Sequence, residues 1–195
     1  VITDSGVFSN HGTLINNPDR IQISGGDWAL RFTNTARQYV EITNDIISGN
    51  IESNSYSVSL YYTPITLSNG THVIMQYNND YGKGFLLNQI ANKLYIYATN
   101  SYSSAIIANN AFAIGTTCHI VFIADSLNKR MILYINEIKV ATINNCFWSL
   151  QKGGKLFIGG STQFDSVNGI INNVKLYNFV TGKEYPHYTG RLYLY

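Results

Sequence analysis

At 195 residues, with 45% hydrophobic content, the chain is long enough to bury a full core without disulfides or metal. Only 12% of its residues are charged, against about 25% in typical domains. The net charge is +2, and Lys129-Arg130 is the one adjacent basic pair. That excludes the concentrated positive stripe that nucleic-acid binding needs. No apolar run approaches the roughly 20 residues that span a bilayer, so membrane insertion is not expected. The polar surface must come from Asn, Ser, Thr, Gln and Tyr, the uncharged groups that read neutral sugars. A/T-rich codons, which encode Asn, Ile and Tyr, would produce the same composition without a functional cause.

Apolar residues recur with period two or in short runs, and turn residues interrupt them about every ten positions, which predicts strands rather than helices. In chain order the expected strands are Tyr39–Ile42, Tyr56–Tyr62, His72–Tyr77, Gly84–Asn88, Lys93–Ala98, Ser104–Ala108, His119–Ala124, Arg130–Ile135, Ile138–Ile143, Lys155–Ile158 and Gly169–Tyr177. Turn signals separate them at Ser68-Asn69-Gly70, Asn78 to Gly82, Ile90-Ala91-Asn92, Asp125 to Lys129, Asn136-Glu137 and Gly153-Gly154. The strands around His119–Ala124, Arg130–Ile135 and Ile138–Ile143 should form a meander. The unbroken run Ile120 to Ala124 predicts a strand covered on both faces. Asn69-Gly70-Thr71 is a glycosylation sequon and also a two-residue hairpin signal, and the turn is the favoured reading. The expected fold is all-β, a sandwich of two antiparallel sheets with less than a tenth of the residues in helix. One domain over residues 1–195 is expected, and the start at Val1 rather than Met points to excision from a longer chain.

The order of motifs resembles a laminin-G-like, concanavalin A-like lectin/glucanase jelly roll. Asp4-Ser5-Gly6 with Asn10-His11-Gly12-Thr13 resembles the family's opening stretch, and Gly26 to Phe32 its "G-x-A-L-x-F" strand. Leu133-Tyr134-Ile135-Asn136-Glu137 resembles "L-Y-v-N-G". Leu156-Phe157-Ile158-Gly159-Gly160 and Phe164 to Leu176 resemble its closing pattern. The resemblance spans Asp4 to Asn178 and places His119 in a core position. Three departures stand out. Glu137 replaces a turn glycine, Asn172-Asn173 replace paired aspartates, and the strand that precedes Asp4 in the family is missing, unless Arg191 to Tyr195 supply it. The resemblance also implies either no cofactor or one structural calcium ion. Such an ion would be held by Asn172 and by carbonyls around Gly26 and Asp27, weakly, because an amide supplies no charge.

Catalytic patterns are missing from the chain. Its glutamates are Glu41, Glu52, Glu137 and Glu184, and none has a carboxylate partner two residues away, as a glycosidase pair of this fold requires. His11, His72, His119 and His187 are scattered, and Cys118 and Cys146 are expected to be free thiols. An enzyme is not expected. Binding residues should lie where rings and amides share loops or strand ends, since ring faces stack on sugar C–H faces while amides bond hydroxyls. That selects Asn78, Asp80 and Tyr81 in one cluster and Asn100 and Tyr102 in another. Phe147-Trp148 reads either as a third cluster or as a plug at the end of the sandwich. The leading expectation is a non-catalytic carbohydrate-binding or adhesion module, extracellular or on a cell or virion surface. Its partner would be a glycan or a surface protein, with repetition or oligomerisation in the parent raising avidity. The alternatives are a structural or protein-interaction domain, which the Tyr-rich end Tyr185 to Tyr195 favours, and a degenerate glucanase.

Overall fold

The computed structural model describes residues 11–43, 55–78, 84–97, 105–146 and 153–177. Among them lie fifteen strands: β1 (Thr13–Ile15), β2 (Asp19–Gln22), β3 (Trp28–Phe32), β4 (Tyr39–Ile42), β5 (Tyr56–Pro64), β6 (His72–Asn78), β7 (Gly84–Ile90), β8 (Lys93–Tyr97), β9 (Ala105–Ala108), β10 (Cys118–Asp125), β11 (Arg130–Ile135), β12 (Ile138–Asn144), β13 (Lys155–Ile158), β14 (Asp165–Ser166) and β15 (Gly169–Tyr177). The one helical turn among the described residues is a 3-10 turn at Asn34–Ala36.

The strands form two sheets. One is eight-stranded, in the order β1-β4-β13-β6-β7-β8-β9, with β14 beside β6; the other is seven-stranded, in the order β12-β11-β10-β5-β15-β3-β2. Every pairing is antiparallel except the short β14–β6 pair. Period-two alternation buries one set of residues between the sheets. From the seven-stranded sheet come Leu30, Phe32, Leu60, Tyr62, Phe122 and Leu133, and from the eight-stranded sheet Val40, Tyr77, Leu87, Ile96 and Leu156. Full burial of such side chains stabilises the fold by about 1.5–3 kcal/mol each. Tyr56 stacks on Phe85 across the two layers at 5.2 Å between ring centroids. The Tyr62 hydroxyl donates to Gln89 Oε1, and Gln89 Nε2 in turn donates to the carbonyls of Thr66 and Ala91. This buried amide is therefore bonded at both ends, as an interior polar group must be.

The hairpins follow the turn chemistry of the sequence. Asn136 and Glu137 both adopt positive φ, 50° and 68°, so the β11–β12 turn is made with a glutamate where glycine would be free of strain. Asn173 is also left-handed, at 51°, and sits within the register shift that divides β15 against β5. Asn69-Gly70 differs from expectation. β5 and β6 belong to different sheets, so these residues lie in a crossover between layers and not in a two-residue hairpin. Dipeptide preference cannot distinguish the two, because it carries no information about which sheet the next strand joins. Cys118 and Cys146 are buried and free, as expected. Burial pushes the Cys118 thiol up to about 11.

Candidate functional site

Outward residues of the eight-stranded sheet are those that alternate with its core positions. They include Tyr39 and Glu41 on β4, Lys155 and Phe157 on β13, Gln76 on β6, Leu86 and Asn88 on β7, Lys93, Tyr95 and Tyr97 on β8, and Ile107 on β9. Register joins them into rows. Glu41 faces Phe157, Phe157 faces Gln76, Gln76 faces Leu86, and Leu86 faces Tyr97. One step along, Asn88 faces Tyr95, and Tyr95 faces Ile107. With about 4.8 Å between strands, Phe157 and Tyr97 stand roughly 14 Å apart across three strand spacings.

Two aromatic pairs flank the centre of this face. Tyr39 meets Phe157 edge-on at 5.8 Å, and Tyr95 and Tyr97 are stacked at 6.5 Å. Between them lie the amides of Gln76 and Asn88, which are 7% and 3% exposed. Neither side-chain oxygen, Gln76 Oε1 or Asn88 Oδ1, has a hydrogen-bond partner. An unpaired buried acceptor costs about 1–3 kcal/mol, and Gln89 on the inner side of β7 shows how this chain otherwise satisfies a buried amide. The charged groups of this face are Glu41, Lys155 and Lys93, the last in phase with Tyr95 on β8. Lys155 Nζ donates to Glu41 Oε1 at 2.8 Å, which neutralises the acid at one end of the row.

Of the residues selected from sequence, Asn78 ends β6, where its backbone faces Gly84 and Lys155. Asp80, Tyr81, Asn100 and Tyr102 lie outside the described residues, as do Phe147, Trp148 and the Tyr-rich end. The strands that bracket them are placed. β6 and β7 run to the 79–83 link, and β8 and β9 to the 98–104 link. Because the four strands are consecutive antiparallel neighbours, the C-terminal ends of β6 and β8 lie at the same end of the sheet. Gly84 stands where that β6–β7 connection closes, and a Cβ there would come within 1.9 Å of the Tyr77 carbonyl oxygen. Tyr39, Tyr95, Tyr97, Phe157, Gln76 and Asn88 were not selected from sequence. The available signal was the alternation Leu94-Tyr95-Ile96-Tyr97, which sets two tyrosines on one face, and single amides within otherwise apolar strands.

Gly26 and Asp27 lie in the β2–β3 turn. The Gly26 carbonyl accepts a bond from Gln22 Nε2 at 3.2 Å, and the Asp27 carbonyl accepts the Ile23 N–H at 2.9 Å. Asn172 follows Ile171, the last β15 residue in register with β3, opposite Leu30. The described residues gather no group of three His, Cys, Asp or Glu side chains. Two engaged carbonyls and one neutral amide do not fit a tight calcium cage, which needs six to eight oxygens and charge.

The outer face of the seven-stranded sheet differs. His119 points outward there instead of occupying the core. It stacks on Tyr61 at 4.4 Å, and its Nε2 lies 2.9 Å from Ser59 Oγ. The reason is register: Cys118 and Ile120 take the inner positions of β10, so the residue between them must face out. Burial lowers the His119 pKa, with Glu137 raising it and Lys175 lowering it further. Beside it Val121, Ile123, Ile132 and Tyr134 form a second buried apolar cluster, which confirms a β10 covered on both faces. Trp28 is a rim residue, 39% exposed, with the Arg20 guanidinium 4.4 Å above its ring.

Comparison with known proteins agrees with this architecture. A laminin-G-type family model, described as the concanavalin A-like lectin/glucanases superfamily, matches residues 34–184. The chain belongs to that superfamily. No curated protein matches it. Among solved structures it is similar to the binding domain of botulinum neurotoxin DC in complex with SialylT, with TM-score 0.68, 18% identity, and coverage of 90% of this chain and 45% of that one. It is also similar to domain 4 of AbnA, a GH43 extracellular arabinanase from Geobacillus stearothermophilus, in complex with arabinotriose. There the TM-score is 0.61 at 17% identity, covering 91% of this chain and 81% of that one. A heptameric SAP-like pentraxin from Limulus polyphemus gives 0.55 at 15% identity, covering 65% and 64%. The chain spans less than half the length of the toxin binding domains it resembles, and identities this low establish the shared fold alone. Among the described residues no helix is long and apolar enough to cross a membrane.

Proposed function

We propose that this domain is a non-catalytic carbohydrate-binding or adhesion module that lays a glycan across the outer face of the eight-stranded sheet. The observation that carries the reading is the pair of aromatic clusters, Tyr39 with Phe157 and Tyr95 with Tyr97, set on either side of the Gln76 and Asn88 amides. Rings stack on sugar C–H faces and amides bond hydroxyls. Asp80, Tyr81, Asn100 and Tyr102, which follow β6 and β8 in the sequence, are included in the proposed site because they mix rings with polar groups. Two similar structures, one in complex with SialylT and one, from an extracellular arabinanase, in complex with arabinotriose, support a glycan partner and an extracellular or surface location. A glycan array on the isolated domain, with and without calcium, tests the reading. Binding to at least one glycan class is expected, and it should be lost in the Tyr95→Ala/Tyr97→Ala double variant. A silent array, or full retention in a folded double variant, would remove it.

A second reading, a protein-interaction or structural domain, is supported by exposed apolar residues along the β12 edge. Ile138 and Val140 are 68% and 45% exposed. A sheet edge with apolar side chains is a template for pairing with another chain. Concentration-dependent self-association without glycan binding would favour this alternative.

A further inference from the structure

We propose that Asn69 is a self-modification site, at which the side-chain amide cyclises onto the Gly70 nitrogen and hydrolyses to a carboxylate. The fold protects the chain's other Asn-Gly pair from the same reaction. Asparagine is among the thermolabile residues, and a following glycine leaves the attacking nitrogen unshielded and its backbone free to turn. The sequence contains two such pairs, Asn69-Gly70 and Asn168-Gly169, and dipeptide chemistry treats them alike. The structure separates them.

Asn168-Gly169 is held on every side. The Asn168 carbonyl accepts the Ile65 N–H at 2.8 Å and the Thr66 N–H at 3.4 Å. Gly169 is buried and opens β15, in register with Phe32 of β3 on one side and Pro64 of β5 on the other. A Cβ built on it would meet the Tyr62 ring at 2.6 Å and the Thr63 carbonyl oxygen at 2.8 Å. Turning the Gly169 nitrogen over the Asn168 amide would break this pairing. Asn69-Gly70 has no such restraint. Both residues are exposed in the crossover from β5 to β6. Among the described residues, neither the Asn69 amide nor the Gly70 N–H has a hydrogen-bond partner. A two-residue hairpin would have fixed the pair between paired strands, and the crossover does not.

The reaction needs only water. The Gly70 N–H gives its proton to a solvent base, its nitrogen bonds to Asn69 Cγ, and the Cγ–Nδ2 bond breaks to release ammonia. Water then opens the cyclic imide at either carbonyl, leaving aspartate or isoaspartate at this position. One water is consumed, one ammonia is released and one negative charge is gained. The product falls at a joint between the two layers. The Ser68 carbonyl accepts the Ala91 N–H at 2.7 Å, and the His72 ring bonds Ser68 Oγ and, through Nδ1, the Ser166 carbonyl at 2.9 Å. Isoaspartate adds a main-chain carbon between Ser68 and His72, so conversion loosens these anchors.

The test ages the whole domain at physiological temperature and mildly alkaline pH, native and in urea. Peptide mass spectrometry then locates each amide-to-acid conversion. In the native protein Asn69 should convert to near completion while Asn168 stays intact, and in urea both should convert. Asn69→Gln should abolish conversion at this position over the same period, because the longer side chain closes a less favourable ring. Gly70→Ala should slow it severalfold, because a methyl group shields the nitrogen and restricts the backbone. Aged wild type should melt below Asn69→Gln aged in parallel. Equal conversion of the two asparagines in the native protein would overturn the inference, as would an Asn69 that stays intact there. Full conversion with an unchanged melting temperature would overturn the loosening of the crossover.

Discussion

The two outer faces of the sandwich use similar residues to opposite ends. On the seven-stranded sheet several polar groups are paired with one another, although the buried Ser57 Oγ there has no partner. Asp125, 1% exposed, accepts bonds from the Asn128 backbone, Asn128 Nδ2 and Arg130 Nε. His119 is engaged by Tyr61 and Ser59, Arg31 by Asp19, and an apolar cluster fills the middle. The eight-stranded sheet also carries aromatics and buried polar groups, yet its central amide oxygens have no partner. A paired polar group contributes to folding, whereas a buried unpaired one costs stability. Strain of that kind belongs where function requires it.

If that contrast is right, damage to the seven-stranded face should cost stability and spare binding. Asp125→Ala is expected to have the largest effect, about 2–3 kcal/mol from lost charge-assisted bonds. That is a fall of roughly 5–10 °C in melting temperature for a domain of this size, with glycan affinity unchanged once folded. Burial raises the Asp125 carboxyl, but the bonds from Asn128 and Arg130 outweigh it and hold its pKa below the ordinary value. The stabilisation is therefore present above the unfolded pKa and lost as pH falls through the folded one. Loss of affinity in a folded Asp125→Ala protein would break the division between the faces.

Changes to the proposed binding face should have the reverse signature. Tyr97→Ala should weaken binding by about 0.5–1.5 kcal/mol beyond its burial term, a several-fold loss by calorimetry, with a smaller thermal effect than Asp125→Ala. Tyr81→Ala should give a loss of the same kind if the 79–83 link reaches the ligand. Unchanged binding with the fold intact would confine the site to the strands.

Much of this contrast is legible in the sequence, and the remainder is not, for identifiable reasons. Eleven expected strands appear as β4 to β13 and β15 within one or two residues at most ends, because each alternates cleanly or runs apolar between turns. β3 is legible only through the family resemblance of Gly26 to Phe32, and β1, β2 and β14 are not legible at all. Thr13-Leu14-Ile15 and Asp165-Ser166 are too short to show a period, and Asp19-Arg20-Ile21-Gln22 is mostly polar. β2 holds its place through Arg31–Asp19 and Arg20–Trp28 contacts made by side chains on another strand. The outward tyrosines of β8 are readable from period two. That Gln76 and Asn88 lack partners is not, since their bonding depends on β4, β13 and β8, which come from distant parts of the chain.

A smaller difference should appear with pH. Burial lowers the His119 pKa from 6.5, so the unfolded chain takes up a proton below that value while the folded chain resists. Stability should therefore fall as pH drops through about 6.5, and His119→Gln should flatten the slope. Glycan affinity at the proposed face, which we assign to amides and rings, should not follow it between pH 6 and 8.

Calcium should have the smallest effect. With Asn172 neutral and the Gly26 and Asp27 carbonyls engaged, millimolar Ca²⁺ should barely move the melting temperature, and Asn172→Asp should enlarge the response. A large shift that Asn172→Ala leaves intact would place any calcium elsewhere.

The central claim is that the two outer faces divide binding from stability, and chemical-shift mapping tests it most directly. Isotope-labelled domain would be titrated with the glycan it binds best, following backbone and side-chain amides. The Gln76 and Asn88 side-chain signals and the Tyr95 and Tyr97 backbone signals should shift together and saturably, while those of Ser59, His119, Val121 and Asp125 stay in place. Saturable shifts confined to the seven-stranded face, with Gln76 and Asn88 unmoved, would contradict the account.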